Sequence, residues 1–174
     1  MKYTFITLAM SLLAVFGCTA QPTVDNSVSG DLQLEKYLGD WYEIARFDHS
    51  FERGISFCKA NYTLREDGMV QVVNTGIKNG KPKESKGKAK RTENARILRV
   101  SFFGPFYGDY RIMLLDSDYQ WVLVGGSSEK YLWILSRTPQ LTDDARVSIL
   151  AEATRRGYDV SKLIWVEQYF FRGI

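Results

Sequence analysis

Between Asp40 and Arg137 the chain alternates short runs fit for strands with brief polar breaks, eight times over. Two of the breaks, Glu66-Asp67-Gly68 and Lys78-Asn79-Gly80, are tight hairpin signals, because Asn and Gly accept the left-handed backbone that a two-residue turn demands. The runs predict strands near 40–48, 57–65, 69–77, 83–91, 96–103, 109–116, 120–126 and 131–137. Eight antiparallel strands at this even spacing predict an all-β fold, an up-and-down meander closed into a barrel. Ahead of them, Leu32, Leu34, Tyr37 and Leu38 suit a short helical turn that plugs one end. After them the period changes. Thr142 can cap a helix whose first turn carries Asp143 and Asp144, favourable against the helix dipole. Ala145, Val147, Leu150 and Ala151 form its expected buried stripe, Gly157 ends it, and 163–166 make one more strand outside the barrel.

The first strand, within GDWYEIARF (39–47), carries bulky residues on both faces. Regular alternation puts Trp41, Glu43, Ala45 and Phe47 on one side and Tyr42, Ile44 and Arg46 on the other. Far along the chain, Arg137 ends the eighth strand at the same end of the barrel, where its guanidinium can lie over the Trp41 indole. Such a stack contributes about 0.5–2 kcal/mol, more when water is excluded. The same alternation turns Tyr62, Leu64, Val70, Val72, Asn74, Leu98, Val100, Phe102, Tyr110, Ile112, Leu114, Trp133 and Leu135 inward, provided no bulge intervenes. The hairpins after the second, fourth and sixth strands then share the plugged end; the other connections surround an open mouth. An eight-stranded barrel either fills with side chains or holds one small ligand.

Gly39-x-Trp41, Asp118-Tyr119 and Arg137, in this order, resemble the structural signature of the lipocalins. The runs WYEIARFDHSFERG, VSFFGPFYGDY and YLWILSRTP are similar to those of the bacterial lipoprotein branch, over about 31–168. The resemblance implies that Tyr62, Asn74, Phe102, Tyr110 and Trp133 line a ligand cavity. It implies a carrier of amphipathic lipids, such as fatty acids or lysophospholipids, serving membrane maintenance or the response to stress. The alternative is a carrier of haem or another tetrapyrrole, for which the sequence offers no inward histidine as an axial ligand. A barrel filled by its own side chains is the third reading.

Residues 1–17 lie outside the fold: Lys2 precedes a short apolar run that ends at Gly17-Cys18. A small residue before a cysteine at that point resembles a lipobox. Cys18 would then become the acylated N-terminus, and several acyl chains hold a protein firmly where one does not. Ordinary secretory cleavage after Ala20 is the alternative. Thr19 is not the aspartate that retains lipoproteins at the inner membrane in some bacteria, which favours the outer membrane, facing the periplasm. Residues 18–30 read as a flexible tether, and 31–174 as the lipocalin domain. With Cys18 acylated, Cys58 has no disulfide partner and suits a buried apolar site.

A net charge of +3 and no long basic face speak against nucleic acid as a partner. An aromatic share of 14% favours aromatic packing and pockets. Lys78, Lys81, Lys83, Lys86, Lys88 and Lys90 are either a solvated edge or cations for an anionic headgroup at the mouth, beside the aromatic segment Phe103-Gly104-Pro105-Phe106-Tyr107. Catalysis has little support. There is one histidine, His49, no G-x-S-x-G and no His/Cys cluster of metal-ligand spacing. Glu43, inward by alternation, is expected to be hydrogen-bonded near the barrel floor or paired with Arg99 or Arg137 rather than to serve as a base. No cofactor or metal is expected, and a homodimer is compatible with the sequence.

Overall fold

The computed structural model describes residues 24–168; the signal segment, Cys18 and the first tether residues lie outside them. Strands β1 (Gly39–Arg46), β2 (Ile55–Leu64), β3 (Val70–Lys78), β4 (Lys81–Arg91), β5 (Ile97–Phe103), β6 (Phe106–Leu115), β7 (Trp121–Gly125) and β8 (Leu132–Ser136) each pair antiparallel with the next. Pairing of β1 with both β8 and β2 closes the barrel. The β3–β4 turn is made by Asn79 and Gly80 at φ 52° and 71°, between the paired Lys78 and Lys81. That left-handed pair matches the twist of the strands it joins.

The seam between β1 and β2 does not run the full height. β2 pairs only with Gly39–Tyr42, and a final strand β9 (Ile164–Trp165) pairs with Ala45 and Arg46 where β2 has diverged. Gln168 Nε2 donates to the carbonyls of both Glu43 and Cys58, bridging the gap.

Helix α1 (Leu34–Tyr37) plugs the lower end, with Leu34 and Tyr37 buried. Helix α2 (Asp143–Arg155) is capped by the Thr142 hydroxyl, which accepts from the Ala145 amide, and Gly157 follows it at φ +88°. The buried stripe of α2 is Ala145, Ile149 and Ala153, with Leu150 packed at its margin; of the expected stripe, Val147 is 68% exposed and Ala151 is exposed as well. An i, i+4, i+8 row makes one face, and its two alanines let the helix approach the wall. The apolar residues thus form two cores. One fills the barrel, and the other lies between its outer wall and α2, around Phe47, Leu123, Ile134 and Tyr158.

Two bulges overturn parts of the expected alternation. The register of β1 against β8 shifts between Glu43 and Ala45. Ile44 and Ala45 both join the outer core, and Arg46 comes to pair with Trp133, on the side of Trp41 rather than opposite it. In β6 a shift between Ile112 and Leu114 sends Met113 and Leu114 outward and returns Leu115 to the inner core. Leu114 is therefore not a barrel-lining residue. One extra residue reverses every side chain beyond it. Leu64, also expected inside, is 50% exposed at the lower end of β2.

The segment assigned to a flexible tether is held from Val24 on. The Asp25 amide donates to the Arg156 carbonyl, and Arg156 Nη1 donates back to the carbonyls of Asp25 and Ser27 at 3.0 and 2.7 Å. Asn26 Nδ2 donates to the Gly126 carbonyl at the upper end of β7. Val24 and Val28 pack on the outer core. Further on, Arg96 of the β4–β5 turn donates to the Asp31 carbonyl, and the Gln33 amide donates to Tyr119 Oη in the β6–β7 turn. Residues 24–33 are a strap that runs down the wall from the mouth to the floor.

Candidate ligand-binding site

The floor is built around Trp41, which is fully buried. The Arg137 guanidinium lies 3.8 Å from the centre of its ring. The same guanidinium donates to the carbonyls of Lys36, Leu38 and Asp40 at 2.7, 2.9 and 2.6 Å, and to that of Tyr119 at 3.3 Å. One side chain thereby ties the plug, β1 and the β6–β7 turn together. Gly39, at φ +90° beside Arg137 Nη1, occupies backbone that other residues rarely adopt. Asp118 stays exposed in the turn, where its amide donates to Asp116, and next to it Tyr119 receives Gln33 and Arg137.

Above Trp41 three tyrosines meet. Tyr110 Oη lies 2.6 Å from Tyr37 Oη and 3.2 Å from Tyr62 Oη, and Trp41 Nε1 donates to the Tyr37 carbonyl. Burial holds all three phenols neutral, their pKa values well above 10. Tyr62 and Tyr110, expected among the lining residues, thus sit at the base of the cup and satisfy each other there.

The upper half is different. Direct pairing of Ala60 with Asn74, Asn74 with Ser85, and Val72 with Gly87 fixes the inward face of β2, β3 and β4. On β4 that face reads Ser85, Gly87, Ala89, and small residues leave space. A Cβ at Gly87 would lie 2.8 Å from Phe102 Cδ1, so its absence lets the Phe102 ring lie across the strand. Val100, Phe102 and Trp133 pack on the inner core, yet like Asn74 they remain only half-buried while facing inward. An inward face that keeps contact with solvent is the wall of an open cup. Lys78, Lys81 and Lys83 share the inward register at its rim, while Lys86, Lys88 and Lys90 point outward; Lys90 lies over the Tyr107 ring.

The cup also carries polar groups that alternation did not reveal. Glu43 pairs with Arg46, not with Arg99 or Arg137; Arg99 instead meets Asp109 on the outside. Arg46 Nη2 donates to the carbonyls of Glu52 and Ile55, which fastens the β1–β2 loop. Burial, and behind it the Glu52 charge, pushes the Glu43 carboxyl up to about 8 against the pull of Arg46. Burial likewise pushes the Cys58 thiol up to about 12, which leaves it inert.

Over the mouth, Glu52 accepts from Trp133 Nε1 at 3.0 Å. His49 is 7% exposed, stacked on Phe51 at 4.0 Å and 5.1 Å from the Trp133 ring. Its Nε2 lies 3.0 Å from Glu52 Oε2, but neither ring nitrogen is aligned for a hydrogen bond. Arg46 Nε and Asn74 Oδ1 are also buried without a partner. His49, which alternation placed on no inward face, therefore packs against the cup at its mouth. Its place depends on the fold of the loop, and Arg46 depends on a bulge; neither leaves a trace in residue alternation. The small-residue row of β4 was legible in SKGKA (85–89).

A family model for a lipocalin-like domain matches residues 32–168. The chain is 46% identical to the outer membrane lipoprotein Blc of Escherichia coli K12, with 94% of this chain and 95% of that one covered. It is 31% identical to mouse apolipoprotein D, with 87% and 82% covered. Among solved structures, apocrustacyanin C1 superposes with a TM-score of 0.68 at 16% identity, covering 80% of this chain and 81% of that one, a likeness of fold alone. A family match that runs through every strand of the barrel means that the chain belongs to the lipocalins, which bind small hydrophobic ligands.

Proposed function

We propose that this lipocalin binds amphipathic lipids, fatty acids or lysophospholipids, and moves them within the bacterial envelope while anchored to the outer membrane through acylated Cys18. The observation that carries the reading is the half-buried inward wall of Val100, Phe102 and Trp133 above a sealed aromatic floor. An acyl chain that leaves water for that wall gains about 0.8 kcal/mol per buried methylene. The lysines of the rim suit a phosphate or carboxylate head. Similarity to a protein named as an outer membrane lipoprotein supports the location, and among the described residues no helix is long and apolar enough to cross a membrane.

The test is native mass spectrometry of the delipidated chain, begun at Gln21 so that Val24 and Val28 stay in the outer core, with oleate, lysophosphatidylethanolamine and haem offered together. Retention of a lipid that is lost in Trp133→Ala, with an unchanged circular dichroism spectrum, supports the reading. Retention of nothing points to a filled barrel. Haem alone would favour the tetrapyrrole reading, whose support is the buried His49 imidazole beside the mouth, with Nδ1 free of any hydrogen bond and Nε2 facing only Glu52.

A further inference from the structure

The open mouth and Val24, where the strap begins, lie at the same end of the molecule. The strap begins at Val24, beside Gly157 and next to the Asn26–Gly126 hydrogen bond at the upper end of β7. Had residues 18–30 been a free tether, the chain would have left from the floor with a reach of about 45 Å. With the strap pinned by Arg156, five residues separate Cys18 from Val24, a reach of about 20 Å from a point near the mouth.

The surface at that end has the matching chemistry. Phe103 and Phe106, each 78% exposed, face each other across the tip of the β5–β6 hairpin. Phe51, 54% exposed, stands on the β1–β2 loop over the same rim. Exposed aromatics on separate loop tips, cations on the neighbouring β3–β4 hairpin and a short tether at the same end fit one partner: a lipid surface with anionic headgroups. At the floor end, by contrast, Leu64 is the one exposed large apolar side chain of β1–β8 among the described residues; Val147 on α2 and Ile164 and Trp165 on β9 lie on elements packed outside the barrel.

We propose that the anchored protein rests mouth-down on the bilayer, with Phe103 and Phe106 inserted among the headgroups and the cup opening onto the lipid it draws from. This deepens the lipid-carrier reading and rests on it for the anchor.

The experiment uses the acylated lipoprotein in vesicles of phosphatidylethanolamine and phosphatidylglycerol, spin-labelled at Phe106→Cys or, at the floor, Leu64→Cys. Cys58 is buried and the parent protein reports any labelling there. Docking by the mouth raises the oxygen-to-nickel-chelate collision ratio severalfold at 106 and leaves 64 at its aqueous value. Equal, aqueous values at both sites overturn the proposal, and immersion of 64 alone reverses it. Should the protein fail to float with vesicles, the anchor in the functional reading has failed. The same labels in a Cys18→Ser chain with excess vesicles then decide the docking: weak flotation abolished by Phe103→Ser with Phe106→Ser supports it, and none at all sinks it. Dimerisation through the aromatic tips would show as dipolar broadening between labels at 106 without vesicles, and would count against a lipid partner.

Discussion

The floor and the cup are two halves of one barrel with opposite rules. In the floor each polar group has a partner: the Trp41 indole, the Arg137 fork and the three tyrosine hydroxyls close on one another and on backbone carbonyls. In the cup, Arg46 Nε, His49 Nδ1 and Asn74 Oδ1 are buried without one, His49 Nε2 faces Glu52 out of hydrogen-bond alignment, and the apolar residues keep contact with water. Satisfied networks hold a fold rigid, whereas orphaned groups cost stability and wait for a ligand or ordered water. The same strands build both, so the difference lies in side-chain size and in two bulges, not in architecture.

The comparison breaks most easily at the floor. Trp41→Ala should cost about 3–5 kcal/mol in urea unfolding, since it empties a fully buried site. A cost below about 1 kcal/mol would show that the floor is not the stabilising half. Arg137→Ala removes the stack and leaves four carbonyls short of a donor, with an expected loss of about 2–4 kcal/mol. Arg137→Lys should recover only part of it, because an ammonium cannot fork across carbonyls on four residues.

Trp133→Ala sharpens the contrast from the other side. It should cost less than about 1.5 kcal/mol in stability, as the ring is half-buried, yet lower lipid affinity about tenfold or more in a fluorescence displacement titration. An equal loss of affinity in Tyr110→Phe would place the ligand against the floor instead.

The pH profile reads the cup through Glu43. Its carboxyl titrates near 4.5 when free and about 8 in the fold. The native state thus holds the extra proton between these values, and stability falls as pH rises through that window. Glu43→Gln should flatten that slope, measured as the urea midpoint at successive pH values; a slope unchanged by the substitution would assign the titration elsewhere. The smallest effect is expected at Asn74→Leu. Removal of an unpartnered buried acceptor should leave the ligand-free fold within about 1 kcal/mol of the parent, or slightly stabilise it, in the same unfolding assay.

Much of this molecule was legible residue by residue. Asn79-Gly80 announces its hairpin because few other pairs tolerate that backbone, and Thr142 with Asp143 and Asp144 announces a helix start by capping and charge. The meeting of Trp41 with Arg137 was legible for the same reason: two unusual side chains at fixed ends of strands whose order follows from the turns. The α2 stripe was misread because Val147 is more hydrophobic than Ala153 but sits on the wrong side, and helical position outweighs hydrophobicity at a close-packed wall.

The sequence by itself determined the barrel and its closed end, since turn chemistry and alternation act locally. Only the tertiary structure decided that Arg46 turns inward, that His49 and Glu52 cover the mouth, and that residues 24–33 strap the wall. Each depends on a contact between distant segments: β8 against a bulged β1, a loop folded on Trp133, and Arg156 holding Asp25 and Ser27. Such contacts follow from where the chain returns in space, which no local period encodes.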